Sequence, residues 1–175
     1  MKNIRTELKW ALIFLAMQLV WMAGEKLAGL HGPLIEEHAF YTNFIAIPSV
    51  LVYILALRDK RQNDFGGFLT YRQGFQTGLV ITALVTLLSP VMIWLTVRVI
   101  SPDFFAHFRE YAVASEQMTP EQAASYFSLK SYMIQAAFGA AAMGTVTVAL
   151  VALVTKKKAS QGEASGGEGR AMAER

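Results

Sequence analysis

Residues 74–100 read GFQTGLVITALVTLLSPVMIWLTVRVI, and Arg98 is the only charged residue among them. An α-helix needs about 20 mostly apolar residues to cross roughly 30 Å of hydrocarbon, so this stretch is long enough to span a bilayer. Only helices and closed barrels satisfy their backbone polar groups in lipid, and the run is far too long for an alternating barrel strand. The stretch therefore predicts a transmembrane helix.

Three more runs share this character, at residues 8–28, 39–57 and 132–155. Together they predict an all-α integral membrane four-helix bundle, formed by a single domain over residues 1–158. The composition agrees, because 54% of the 175 residues are hydrophobic and 17% are charged, against about 25% charged in soluble domains. The basic start of the first run is also typical of a signal peptide. Since three spans follow, an uncleaved helix is the preferred interpretation.

Lysine and arginine distribution predicts the orientation. Short cytoplasmic loops carry an excess of these residues. Ten basic residues lie on one predicted side of the membrane and four on the other. The basic side holds the first residues, the segment 58–72 and the run 156–158, so both termini are expected in the cytoplasm. The absence of cysteine excludes a disulfide scaffold and thiolate metal sites.

The outward segment 101–131 predicts two short amphipathic helices between the third and fourth spans. Ser101 and Thr119 are N-cap candidates, each followed by a proline and an acid. The helices are expected at the outer surface, either as a cap on the bundle or as a lid over a ligand. Residues 159–175, rich in Gly, Ser, Ala and Glu, predict a disordered cytoplasmic tail.

Motifs for chemistry are scarce in the sequence. It holds no P-loop, GxGxxG, HExxH or GxSxG pattern, so no catalytic residue, cofactor or metal site is predicted and the protein is expected not to be an enzyme. His31, Glu36, Glu37 and His38 are the nearest approach to a ligand set, but their spacing matches no known closed metal site. They are read as solvated loop residues. Glu25, near the outer end of the first helix, is expected to reach the interface.

Neutral polar residues and prolines recur near the centre of each predicted span. An interior proline frees the carbonyl four residues earlier, which would need a donor from Gln18 or Thr145. Such a layer has two interpretations. It either joins the helices of a kinked bundle by hydrogen bonds, or forms a binding site at broken helices like those found in transporters. The candidate midplane residues are Gln18, Pro48, Ser49, Ser89, Pro90 and Thr145.

Small residues form stripes at helical spacing in the third and fourth spans. Such stripes let two helix backbones approach closely. They indicate packing within one bundle or, alternatively, a dimer interface. The candidate packing residues are Gly74, Gly78, Ala136, Ala140 and Gly144.

Four stretches carry a family resemblance: residues 24–61, the run GGFLTYRQGFQTGLVIT at 66–82, SPDFF at 101–105, and EQAASYFSLKSYMIQ at 121–135. They resemble the bacterial membrane family called domain of unknown function 4199, over nearly the whole chain. The resemblance implies a small four-helix membrane protein. It implies no activity and no functional residues.

These observations favour a non-enzymatic interaction or accessory subunit of the bacterial inner membrane. The alternative is a small transporter or ligand-binding membrane protein with a midplane site. The expected partners are the lipid bilayer and a second copy or another membrane protein, with no nucleic acid and no cofactor.

The charge asymmetry makes the topology testable. A reporter enzyme that is active only outside the cytoplasm should be inactive when fused after Arg175, and active when fused after Glu116 in the outward segment. Activity of the Arg175 fusion would overturn the orientation.

Overall fold

A computed structural model of the protein describes residues 4–157, and the predicted tail at 159–175 lies outside them. The described chain is helical, as predicted. The α-helices are α1 (Arg5–Leu27), α2 (Ile35–Tyr41), α3 (Ala46–Asp64), α4 (Tyr71–Leu95), α5 (Phe104–Ala114), α6 (Pro120–Tyr126) and α7 (Leu129–Thr155). A 3-10 turn, Thr42–Ile45, leads into α3, and a π-helical turn, Thr96–Ile100, extends α4.

Four helical stretches in the described chain are long and apolar enough to cross a membrane. They are Arg5–Leu27, Ile35–Asp64, Tyr71–Ile100 and Leu129–Thr155. Each stretch contains nearly all of one run that hydropathy predicted. Each also continues beyond that run into polar residues at one or both ends. Hydropathy locates the apolar centre of a helix, whereas capping and packing decide its ends.

Of the two predicted N-caps, Thr119 holds and Ser101 fails. Thr119 with Gln122 forms a complete capping box at the start of α6, and Thr70 with Gln73 forms another at the start of α4. Ser101 does not cap α5, which begins at Phe104 without a side-chain cap. The Ser101 N–H instead donates to the Thr96 carbonyl at 2.7 Å and so ends the π-helical turn. The Ser101 N–H thus belongs to the preceding segment, while the Ser101 carbonyl accepts from the Phe104 N–H at 3.1 Å.

The predicted small-residue stripes lie between α4 and α7 of the same chain. Gly78 sits against Val148, and a Cβ added to Gly78 would lie 2.4 Å from a Val148 methyl. Gly144 sits against Thr82 in the same way, at 2.6 Å. The Thr82 and Tyr53 hydroxyls are 2.8 Å apart, which ties α3 to this contact.

The remaining candidate packing residues lie beside that contact. Gly74 is buried against Leu69 and Ala152, and Ala140 packs on the same hydrophobic core. Ala136 is half-buried. Four of the five candidate residues thus make contacts within the bundle.

A charged network that hydropathy did not predict closes the end of the bundle that carries residues 5–9, 58–72 and 155–157, here called the basic end. The Lys60 ammonium is 2.9 Å from the Glu7 carboxylate and 2.6 Å from that of Asp64. Lys60 is only 3% exposed. A buried charge is tolerated when it is paired and hydrogen-bonded. Leu69 and Lys157 also exchange two backbone hydrogen bonds there, of 2.9 and 2.8 Å.

The glycine contact predicts a difference between two Gly→Ala variants. Gly78→Ala places a methyl against Val148 and should destabilise the protein by about 1–3 kcal/mol through overpacking. Gly139→Ala is the control, because a Cβ there meets nothing within 4 Å. Thermal unfolding in detergent should show a lower Tm for Gly78→Ala alone, and Val148→Ala should restore part of the loss. Equal stability of the two glycine variants would contradict the close approach of α4 and α7.

Candidate functional site

Three polar side chains converge at the opposite end of the bundle, here called the histidine end (residues 24–45 and 96–128). Glu25 lies in the last turn of α1, His31 in the following turn, and His38 on α2. One potential ligand atom from each residue can be chosen so that all three lie within 4.8 Å of one another. The His31 Nε2 is 3.5 Å from the Glu25 Oε2.

A tight turn brings His31 back under α1. The helix ends at Leu27, and Gly29 takes φ +86°, a left-handed value that favours glycine. The Leu30 N–H donates to the Glu25 carbonyl, and the Leu34 N–H donates to the Gly29 carbonyl, both at 3.0 Å. The glycines and proline that made this segment look like an open loop thus build a compact turn.

Burial of the cluster contradicts the expectation of solvated side chains. Glu25 is 4% exposed and His31 is 3% exposed, while His38 is half-buried. Glu36 and Glu37 are exposed, as expected. Glu25 does not reach the surface, because α1 continues past it and the 28–34 turn folds over it.

Several polar atoms of this cluster have no hydrogen-bond partner in the described part of the chain. They are the Glu25 Oε2, both ring nitrogens of His31 and the Nδ1 of His38. An unsatisfied buried polar group costs about 1–3 kcal/mol. Four such atoms around one point make this the least satisfied polar region that the structure describes.

The partners that do exist hold the cluster in place. The Trp21 indole N–H donates to the Glu25 Oε1 at 2.7 Å, so Oε2 is left facing His31. Phe104 packs edge-on against the His31 ring, with centroids 4.9 Å apart and planes at 89°. Phe108 does the same to His38, at 4.9 Å and 80°. The His107 Nδ1 is 2.6 Å from the His31 carbonyl oxygen.

The helix α5 covers this cluster. Phe104, Phe108 and Ala112 are its buried face. The Arg109 guanidinium donates twice to the Phe127 carbonyl, at 2.9 and 2.6 Å, and so fastens α5 to the end of α6. Both predicted helices are present, and α5 is held over the site by aromatic packing and by this bidentate contact.

A cavity of about 650 Å³ opens beside the cluster, between α1 and the start of α3. Its wall is mostly hydrocarbon and aromatic, and Glu25 contributes to it. The cavity-lining residues are Met17, Val20, Trp21, Gly24, Glu25, Ala28, Leu30, Tyr41, Phe44 and Pro48. Glu25 therefore belongs to both features: to the cavity wall and to the histidine cluster.

The candidate midplane residues do not come together as one layer. Pro48 lines the cavity, but it lies in the first turn of α3, where a proline leaves no helical hydrogen bond unmade. The Ser89 hydroxyl donates to Thr86, the carbonyl freed by Pro90, at 2.9 Å. No donation from Gln18 or Thr145 is needed there.

The hydroxyls of Ser49 and Thr145 also bond within their own helices, to the carbonyls of Ile45 and Ala141, both at 2.7 Å. Thr145 is exposed on α7. Gln18 keeps a buried side-chain oxygen without a partner in the described residues.

A family model described as "Protein of unknown function (DUF4199)" matches residues 9–157. The chain belongs to this family. Comparison with curated proteins and with solved structures gives no match. The function of this DUF4199 protein must therefore be inferred from the residues of its own candidate site.

Sequence reasoning missed Glu25 as the centre of the site. An ionisable residue inside a membrane span is a functional candidate by default. Glu25 falls within the stretch Arg5–Leu27, so this signal was present in the sequence. Five residues lie between Glu25 and His31, and the end of α1 falls among them. The spacing in the sequence therefore did not reveal the pairing.

Proposed function

We propose that this DUF4199 protein is a non-enzymatic ligand-binding protein of the bacterial inner membrane, with both termini in the cytoplasm. The cavity beside Glu25 carries the proposal. Its volume of about 650 Å³ falls within the range of about 300–1,000 Å³ that is typical of small-molecule sites. The membrane location is supported by the four long apolar helices.

The cavity wall indicates the class of ligand. Leu30, Phe44 and Met17 offer apolar surface, and the Glu25 carboxylate is the charged group among the lining residues. This combination suits an amphipathic molecule with an apolar body and one hydrogen-bond-donating group. Such molecules partition into a bilayer and reach a cavity between helices from the lipid.

Binding without turnover is the simpler role for this wall. Catalysis by proton transfer or nucleophilic attack needs positioned polar groups around the reacting atoms. Of the lining residues, Glu25, Trp21 and Tyr41 carry polar side-chain atoms, and the first two bond to each other. The wall supports recognition of a mostly apolar molecule.

The proposal predicts that filling the cavity removes its ligand. Gly24 lines the cavity, and a Cβ added there meets nothing within 4 Å, so Gly24→Leu should fold while occupying the space. Mass spectrometry of organic extracts from purified protein should show a molecule that is enriched with the wild type. We expect its amount to fall at least tenfold in Gly24→Leu.

Ala16→Leu is the matched control, because Ala16 is exposed on the same helix and outside the cavity wall. It should keep the wild-type amount. Equal amounts in both variants, or no molecule enriched above bulk lipid, would refute binding in the cavity.

A second candidate function, an accessory subunit that associates through α7, is supported by Gly139. Unlike Gly78 and Gly144, it has no neighbour within 4 Å of an added Cβ. Phe138 beside it is 76% exposed. A glycine in an apolar helix with open space before it permits close approach of another helix, here a second copy of this chain.

Cysteine cross-linking tests that association. The chain has no cysteine of its own, so Phe138→Cys should form a disulfide dimer in membranes if two copies meet symmetrically at α7. Leu87→Cys is the control, at a position that is 74% exposed on α4. Equal, low cross-linking at both positions would remove this candidate.

A further inference from the structure

We propose that Glu25, His31 and His38 bind a divalent transition-metal ion, with Zn²⁺ the best match. This site shares Glu25 with the cavity wall, but it does not rest on the proposed function. One carboxylate and two imidazoles form a three-residue set that zinc accepts while keeping a fourth position open. Mg²⁺ and Ca²⁺ prefer all-oxygen sites, so this nitrogen-rich set disfavours them.

The distances fit such an ion. Two ligand atoms bound to tetrahedral Zn²⁺ at about 2.0–2.1 Å lie roughly 3.4 Å apart. The Glu25 Oε2 and the His31 Nε2 are already 3.5 Å apart. The chosen ligand atoms of the three residues lie within 4.8 Å of one another. Side-chain rotations that move these atoms by about an ångström would bring all three within bonding distance of one ion.

Burial is the second, independent observation. Glu25 and His31 are each more than nine-tenths buried, and the Glu25 Oε2 and both His31 nitrogens make no hydrogen bond in the described residues. Buried polar atoms are normally hydrogen-bonded or coordinate a metal. An ion between them would give a partner to one atom of each side chain in the cluster.

Surrounding contacts orient the ligands as outer-shell groups do in metal sites. The Trp21 indole holds the Glu25 Oε1, which turns Oε2 toward the imidazoles. Phe104 and Phe108 pack against the two rings. His107 bonds to the main chain of His31, and so fixes the turn that carries this ligand.

The net charge indicates what the open position takes. One carboxylate and two neutral imidazoles leave a divalent ion with a single positive charge. A water molecule or an anionic group would complete the coordination. Because Glu25 also lines the cavity, this fourth ligand would enter from that side.

Metal content of the purified full chain tests the site directly. The protein, without a histidine tag, is stripped with a chelator, incubated with Zn²⁺, desalted and measured by inductively coupled plasma mass spectrometry. We expect about one Zn²⁺ per chain. Co²⁺ in its place should give the intense visible absorption of a four- or five-coordinate ion.

Conservative variants assign the ligands. Glu25→Gln, His31→Gln and His38→Gln should each weaken Zn²⁺ binding at least tenfold. Glu37→Gln is the matched control, since Glu37 is an exposed neighbour of His38. It should keep the ion, and so should the cavity-filling Gly24→Leu.

A wild-type measurement guards against variants that do not fold. Zn²⁺ above Kd should raise the Tm of the stripped wild-type protein, with the increase following the logarithm of the Zn²⁺ concentration, and Mg²⁺ should not. Substoichiometric Zn²⁺ with an unchanged Tm would overturn the proposal, as would full binding by all three ligand variants. If Gly24→Leu loses the cavity ligand and keeps Zn²⁺, both proposals are supported. Because the extracted molecule and the bound Zn²⁺ are measured separately, either proposal can fail without the other.

Discussion

Close approach of α4 and α7 is the contact on which the rest of the bundle depends. Gly78 and Gly144 have no side chain of their own, and the Val148 and Thr82 side chains fill the space that a Cβ would need. Apolar helices in lipid gain little from hiding carbon, so tight packing and interhelical hydrogen bonds must hold them together. The Tyr53–Thr82 hydroxyl pair adds α3 to this contact. Ala11, Phe14 and Leu15 bring α1 into the same core.

The two ends of the bundle treat buried charge differently. At the basic end, Lys60 bridges the carboxylates of Glu7 and Asp64, so the charges there are paired. At the histidine end, the Trp21 N–H donates to one Glu25 oxygen, and the other oxygen lies 3.5 Å from the His31 Nε2 without a hydrogen bond in the described residues. The hydrogen-bonded network at the basic end is explained by stability. The incomplete hydrogen bonding at the histidine end, at comparable burial, supports the proposal of a ligand there.

Glu25 links the two proposed binding features through its two oxygens. Trp21, a residue of the cavity wall, bonds to one oxygen, and the other faces the imidazole of His31. A shift of Trp21 in the cavity wall would therefore move the Glu25 carboxylate relative to His31, and a shift of His31 would move it relative to Trp21. The helix α5 lies over the cluster with Phe104 and Phe108 buried against the histidines. The helix α5 thus acts as a cap that keeps bulk solvent away from the buried polar cluster.

Hydropathy by itself determined the helical class and the four long apolar stretches, because a run such as residues 74–100 can satisfy its backbone only as a helix. The N-cap at Thr119 was equally readable, since its side chain bonds to a residue three positions later. Tertiary structure alone decided which polar groups meet. The Ser89 hydroxyl donates to the Thr86 carbonyl within the same helix. This carbonyl therefore does not draw Gln18 or Thr145 into a midplane layer. Glu25 and His31 come together only because the turn at Gly29 reverses the chain, and no periodicity in the sequence records that reversal.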